Sequence, residues 1–251
     1  MPSAFGIRLQ RFYTLSTAEI DIIEAMLGEP ESIPKGTIIC SDRIHDKELP
    51  IILLGTAVKS HYLRNGARQI SGLLLPGDMA LLSRISAHAF HDEIIALTSC
   101  KVAWIPQGYF TRNINNLPQF ANTIQLFAAS EFSYLLSWLI NIGKRDALER
   151  VAYFICELHH RLSNVQMVTD GCFELPLVQY EIADCLGLSS VHVSRKIQQL
   201  RDEGLAEFRS GQVKIFDLDR LRCVADYDGS YVDDQLAKAA PGNRQISNDL
   251  R

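Results

Sequence analysis

The chain has 251 residues and 47% hydrophobic content, enough for a sizeable core and one or two domains. Its 25 Lys+Arg stand against 29 Asp+Glu, so the whole-chain basic surplus usual for a nucleic-acid binder is absent and any such surface must be local. Six scattered cysteines (Cys40, Cys100, Cys156, Cys172, Cys185, Cys223) form no CxxC or CxxxC pair, which argues against a zinc knuckle or an iron–sulfur cluster.

Such cysteine usage fits a reduced cytoplasmic protein. The start, "MPSAFGIRLQRFYTL", has no apolar core of signal-peptide length. No apolar run approaches the ~18–20 residues needed to span a bilayer, so no membrane partner is expected.

Residues 16–29, "STAEIDIIEAMLGE", open on Ser16/Thr17 with a Glu three places on, then show Ile20, Ile23 and Leu27 at helical spacing: a short capped helix. From Ser32 to about Pro106, β-branched runs alternate with turn signals. Asn65-Gly66, between "SHYLR" and "ARQIS", predicts a tight type I′ hairpin, and "LPGD" (Leu75–Asp78) a further turn. Strands at this spacing predict a small antiparallel barrel or roll.

After Pro118 the period becomes helical. Phe120, Ile124, Phe127, Glu131, Tyr134, Leu135, Trp138 and Ile142 fall on one broad stripe that ends at Gly143-Lys144-Arg145. A helix so long and so poor in charge is either buried outright or pairs with its copy in a second subunit while also covering the roll. The second reading is favoured, with Ile124, Phe127, Glu131, Tyr134, Leu135, Trp138 and Ile142 at the dimer interface. A further helix follows at Asp146 with Val151, Phe154, Ile155 and Leu158 inward, then a break, "SNVQMVTDGC", and a strand-like "FELPL".

"LVQYEIADCLGLSSVHVSRKIQQLRDEGL" is expected to fold as helix, turn, helix. Ile182, Ala183 and Leu186 face inward, Gly187 makes the turn, Leu188 plugs the angle and Ser189 caps the next helix. Val193, Ile197 and Leu200 face the core. The opposite face carries Ser190, His192, Ser194, Arg195, Gln198 and Gln199, with Lys196 alongside and no acid before Asp202. Such a face suits a major groove: donors for base edges, cations for phosphates. A hairpin, "LAEFR", Ser210-Gly211, "QVKIFD", completes a winged arrangement. Between Ser190 and Lys214, five basic residues against three acids leave a surplus of only two, which predicts weak non-specific binding and reliance on a dimer. The stretch after Asp226 is polar and aperiodic, a loosely held tail.

"LPLVQYEIADCLGLSSVHVSRKIQQLRDEGLAEFRSGQVKIFD", following a roll and a long helix, resembles the CRP/FNR family of bacterial transcription regulators. The resemblance covers roughly Thr14 to Ala225, with "LPGD" and the Asn-Gly hairpin matching the family's roll. It implies an α+β fold: a cyclic-nucleotide-binding-like antiparallel β-roll (1–117), a dimerisation helix (118–145), a winged helix-turn-helix (146–226) and a polar tail (227–251).

It also implies a homodimer on a two-fold symmetric double-stranded DNA operator. Ser190, Val191, Ser194 and Arg195 are then expected at base edges. Gln179, Ser189, His192, Lys196, Gln199 and Arg209 are expected at the sugar–phosphate backbone, and RNA polymerase as a further partner. Arg195 matches the family arginine that binds guanine. Val191 departs from the glutamate of many relatives, and Val178 stands where relatives often have a capping threonine.

The sensing end departs further. Nucleotide-binding relatives place Gly-Glu after the "GD" turn and Arg-Ser or Arg-Thr about ten residues later. Here Leu81-Leu82 and Phe90-His91 stand at those places, with Arg84 a stray cation, so cyclic nucleotide is not expected. Oxygen-sensing relatives carry an N-terminal cysteine cluster, whereas here Cys40 stands alone. Pro2 with His88 or His91 is only a formal match to haem-sensing relatives. No cofactor and no metal are expected, while an unidentified small-molecule effector in the roll stays open. Two rival readings remain: a dimeric ligand-binding module acting through protein partners, and a cupin-type metal enzyme. The latter is disfavoured because His45, His61, His88 and His91 form no HxH pair.

Overall fold

The computed structural model describes residues 2–41, 48–80 and 93–229. In chain order these form α1 (Ala4–Gln10), α2 (Thr17–Met26), β1 (Glu31–Ile33), β2 (Ile38–Cys40), β3 (Glu48–Leu54), β4 (Ala57–Tyr62) and β5 (Arg68–Leu74). There follow β6 (Glu93–Ala96), β7 (Cys100–Pro106), α3 (Gln107–Asn116), α4 (Pro118–Lys144) and α5 (Ala147–Asn164). The chain closes with β8 (Cys172–Glu174), α6 (Gln179–Leu186), α7 (Ser190–Asp202), β9 (Ala206–Arg209), β10 (Gln212–Ile215) and α8 (Leu218–Ala225). Helices segregated from antiparallel strands give the expected α+β class. Two compact units result. Among the described residues, one holds 2–41, 48–57, 74–80 and 93–134, the other 58–73 and 135–229.

In the first unit β7 lies between β1 and β3 in an antiparallel sheet, with Val102 opposite Glu31 on one side and Ile52 on the other. Successive side chains leave a strand on opposite faces, and both faces here are covered. Ile51 and Ile105 join Phe5, Leu9, Phe12, Phe120, Ile124 and Phe127 in one apolar cluster, while Ile52, Val102 and Trp104 join Ile39, Leu74 and Ile94 in another. Helix α2 carries the anticipated capping box: Ser16 accepts from the Glu19 amide, and Glu19 Oε2 accepts from the Ser16 amide at 2.8 Å. Helix α1 was not anticipated. Ser3 caps it, and Phe5 and Leu9 are fully buried.

Buried Arg8 of α1 places Nε 3.0 Å from Asp78 Oδ1, and its guanidinium lies within 5.8 Å of the Phe12, Phe127 and Tyr134 rings. Asp78 is the last residue of the "LPGD" turn, and its Oδ2 accepts from the Leu75 amide at 2.8 Å. Gly77 is required there: its φ is +90°, and an added Cβ would stand 2.7 Å from the Ala4 carbonyl oxygen.

In the second unit β4 and β5 form a hairpin. Its turn is not the type I′ expected of Asn65-Gly66. The Leu63 amide donates to the Ala67 carbonyl and the Gly66 amide to the Leu63 carbonyl, and of the loop residues 64–66 only Gly66 has positive φ, +83°. This is a three-residue loop, a type I turn closed by a left-handed glycine, with Asn65 Oδ1 accepting from the Ala67 amide at 3.0 Å. True two-residue turns with both φ positive occur at Ser210-Gly211 and at Asp170-Gly171, inside the segment expected only to break the chain.

Asp146 caps α5 by accepting from the Leu148 and Glu149 amides. Val151, Phe154, Ile155 and Leu158 are all buried, as their spacing required. Helix α8 was not anticipated. Asp217 caps it, and Leu221 and Ala225 turn inward.

Four of the seven residues expected at a dimer face on α4 are buried within the chain itself. Ile124, Phe127, Tyr134 and Trp138 are buried by their own chain, at 1–8% exposure. Trp138 packs edge-on against Phe154 and donates from Nε1 to Glu157 Oε2 at 2.7 Å. Of the expected set, Leu135 is exposed and Glu131 and Ile142 are partly exposed. The apolar row left open is Phe132, Leu135, Leu136, Leu139 and Ile140, at i, i+3, i+4, i+7 and i+8. Periodicity located a wide stripe but not the edge of it that the chain consumes itself.

The expectations resting on His45, Leu81-Leu82, Arg84, His88 and Phe90-His91, and on the tail from residue 230, lie outside the described residues.

Candidate nucleic-acid interface

Helix α6 starts at Val178, which has no capping oxygen. The backbone is satisfied from one turn on instead, Glu181 Oε2 accepting from the Val178 amide at 2.9 Å. The helix ends at Gly187 in the left-handed conformation (φ 61°), where an added Cβ would meet Ile142 Cγ2 at 3.4 Å. Ser189 then caps α7, its hydroxyl accepting from the His192 amide at 3.3 Å. Val193 and Leu200 are fully buried and Ile197 is half-buried. These contacts fix which way the rest of α7 faces.

That outward face presents Ser190, Val191, His192 and Arg195 to solvent, with Ser194, Lys196 and Gln199 partly covered. Val191 is 57% exposed. Arg195 has no hydrogen-bond or ion-pair partner among the described residues, leaving its fork of donors available. Lys196 and Gln199 are engaged locally: Lys196 Nζ donates to Gln199 Oε1 and Gln199 Nε2 to Glu203 Oε1, both at 2.9 Å.

The antiparallel sheet β8-β10-β9 stands beside these helices, with Val213 opposite both Phe173 and Phe208. Its β9–β10 turn carries exposed Arg209. An open cleft of about 530 Å³ lies between wing and helices, floored by Leu175, Leu177, Ile182, Ile197 and Phe208 and rimmed by Gln179, Ser190, Arg209 and Gln212. Of the sequence-predicted residues, Gln179, Ser190 and Arg209 therefore meet around one concavity, while Val191 and Arg195 sit on the outward face of α7. Gln212 was missed. Its position directly after the Ser210-Gly211 turn was the available signal.

Three arginines in and just before α5 tie neighbouring segments together. Arg145 Nε donates to the Ala225 carbonyl at 3.0 Å, with its guanidinium 4.2 Å from the centre of the Tyr153 ring. Arg150 Nη1 donates to the Leu186 carbonyl at 3.2 Å. Arg161 Nη2 donates to the Leu73 carbonyl at 2.8 Å, while its Nη1 meets Glu157 Oε1 at 3.2 Å. Arg68 and Gln69 of β5 reach α6 as well, at the Asp184 carboxylate and carbonyl. Sequence alone offered no sign of these long-range contacts.

The buried cysteines are ordinary core groups of their own units. Burial pushes the Cys100 thiol up, the Cys156 thiol up to about 12 and the Cys185 thiol well above its usual range. Among the described residues, no group of three or more His, Cys, Asp or Glu side chains is arranged to hold a metal ion. No helix among them is long and apolar enough to cross a membrane.

A Crp-like helix-turn-helix domain matches residues 149–224, which contain α6, α7 and the wing. The transcriptional activatory protein AadR of Rhodopseudomonas palustris is 33% identical over 212 residues, covering 84% of this chain and 87% of the relative. The nitrogen fixation regulation protein FixK of Bradyrhizobium diazoefficiens is 30% identical over 213 residues, covering 84% and 88%. The structure of FixK2 from Bradyrhizobium japonicum superposes with a TM-score of 0.69 at 24% identity, covering 78% of this chain and 96% of that one. A CooA mutant from Carboxydothermus hydrogenoformans shares the fold with a TM-score of 0.62 at 17% identity, covering 87% and 94%. With a β-roll, a long helix and a winged helix-turn-helix in that order, and with relatives of this identity along most of its length, the chain belongs to the CRP/FNR family of DNA-binding transcription regulators.

Proposed function

We propose that two copies of the chain bind a two-fold symmetric operator, each laying α7 into a major groove, the two grooves about 34 Å apart. The observation that carries this is the divided surface of α7: Val193 and Leu200 hold the helix down while Ser190, Val191, Ser194 and Arg195 are left to meet base edges. Gln179, Ser189, His192, Lys196, Gln199 and Arg209 contact sugar and phosphate. Gln179 and Arg209 reach there from the rim of the wing cleft. Lys196 Nζ exchanges its bond to Gln199 Oε1, and Gln199 Nε2 its bond to Glu203 Oε1, for bonds to phosphate oxygens.

The open row on α4 supplies the dimer contact, and the segments 1–117, 118–145, 146–226 and 227–251 serve as sensor, dimerisation helix, reader and tail. The protein works in the cytoplasm, as a regulator and not an enzyme. RNA polymerase is its further partner, in line with the activatory role in the name of a relative 33% identical. Any effector of the roll is a small molecule other than cyclic nucleotide, and no iron–sulfur cluster is involved. The chain's own residues at the cassette positions and its lone Cys40 support this.

The test is selection of bound sequences from random DNA by the full chain, followed by a salt titration. A palindromic consensus is expected, with log K falling linearly against log salt at about −0.9 per phosphate contacted. Replacement of Arg195 by Ala relaxes the preference at one position of each half-site and costs about 1–3 kcal/mol there. No enriched sequence, or retention insensitive to salt, sinks the reading in favour of a module that acts through protein partners.

A further inference from the structure

Resting on that reading, we infer that Val191 selects a thymine in each half-site by packing on its C5-methyl group. Val191 lies on the outward face of α7 one turn before Arg195 and is 57% exposed, an isolated apolar group among Ser190, His192, Ser194 and Arg195. Its place is fixed by the Ser189 cap and by buried Val193, so the isopropyl group is presented by a rigid helix end.

A valine can neither donate to nor accept from a base edge. In the major groove it therefore leaves any polar base atom it covers without a partner, at a cost. The thymine methyl is the apolar feature that edge offers. One helical turn advances about 5.4 Å and base pairs are spaced about 3.4 Å, so this thymine lies within about two base pairs of the position read by Arg195.

The experiment uses the full chain and the sequence it selects from random DNA. The thymine in question is replaced by deoxyuridine, which lacks only the methyl, and affinities are compared for the wild type, Val191→Ser and Val191→Glu. Expected is a thymine enriched at one position per half-site and a loss of about fourfold per half-site on demethylation in the wild type. That loss disappears in Val191→Ser, while Val191→Glu selects a cytosine there, since a carboxylate accepts from its amino group. A consensus without such a thymine, or a methyl effect equal in wild type and Val191→Ser, overturns the role of Val191 and leaves DNA reading intact. Failure to select any sequence overturns the DNA-reading function itself, and the thymine contact with it.

Discussion

Arg68 Nη2 lies 2.7 Å from Asp184 Oδ2, and Nε of the same guanidinium donates to that oxygen at 2.8 Å. The two residues are 116 positions apart, one on β5 and the other on α6, so the roll hairpin is bound directly to the first helix of the reader. Burial works against the Arg68 charge, but the Asp184 carboxylate outweighs it and raises the guanidinium above its ordinary value. Gln69 Nε2 adds a 2.8 Å hydrogen bond to the Asp184 carbonyl. In a double-mutant cycle, Arg68→Ala and Asp184→Ala are expected to couple by about 1–2 kcal/mol in urea unfolding. Zero coupling would mean that the hairpin and α6 are energetically independent.

The buried pair Arg8–Asp78 predicts a larger effect. Asp78→Asn or Arg8→Met alone leaves an uncompensated charge and should cost about 3–5 kcal/mol, read from the urea midpoint. Replacing both with apolar residues of similar volume should recover most of the loss. A single-site cost below about 1 kcal/mol would show that water reaches the pair, as at an exposed bridge.

On α4, Leu135→Glu with Leu139→Glu places charge on the open apolar row. Light scattering should then report monomers of near-native thermal stability. By contrast, Trp138→Ala should leave subunit association intact and cost about 3–5 kcal/mol in folding, because Trp138 fills the core beside Phe154. Exchange of these two phenotypes would restore Trp138 to the interface.

Thiol chemistry gives a pH test with a definite sign. The Cys156 thiol is raised from its ordinary 9.0 to about 12 by burial, with Arg222 acting weakly the other way. Folding thus favours the neutral thiol. Its contribution is complete below pH 9 and is lost as pH rises toward 12. Unfolding midpoints should fall across that window, and Cys156→Ala should flatten the fall. In the native protein near pH 8, a thiol reagent should react fast at exposed Cys223, more slowly at half-buried Cys172, and at all six cysteines only after unfolding.

What could be read from sequence alone was local. Ser189, Gly187 and Ser210-Gly211 each announce a cap or turn through chemistry within three residues, and the structure uses each as expected. Asn65-Gly66 marked its hairpin correctly but not its turn type, because Arg64 enters the loop and leaves only Gly66 left-handed. Helices α1 and α8 carried their caps, Ser3 and Asp217, in plain view, but they are short and went unrecognised. Arg8 with Asp78 and Arg68 with Asp184 were invisible, since pairing over tens of residues leaves no periodic trace. The face of α4 left open to solvent differs from the expected one for a related reason. A wide apolar stripe shows that α4 has more than one neighbour, but not which side faces which.

The division of labour along α7 bears on how such a regulator diversifies. The residues that anchor it, Val193 and Leu200, are not the ones that face outward, so single replacements at exposed positions 190, 191 or 195 spare the anchoring core. On the proposed base contacts, a duplicated copy of the gene can thereby acquire a new set of targets one nucleotide change at a time, without passing through an unfolded ancestor.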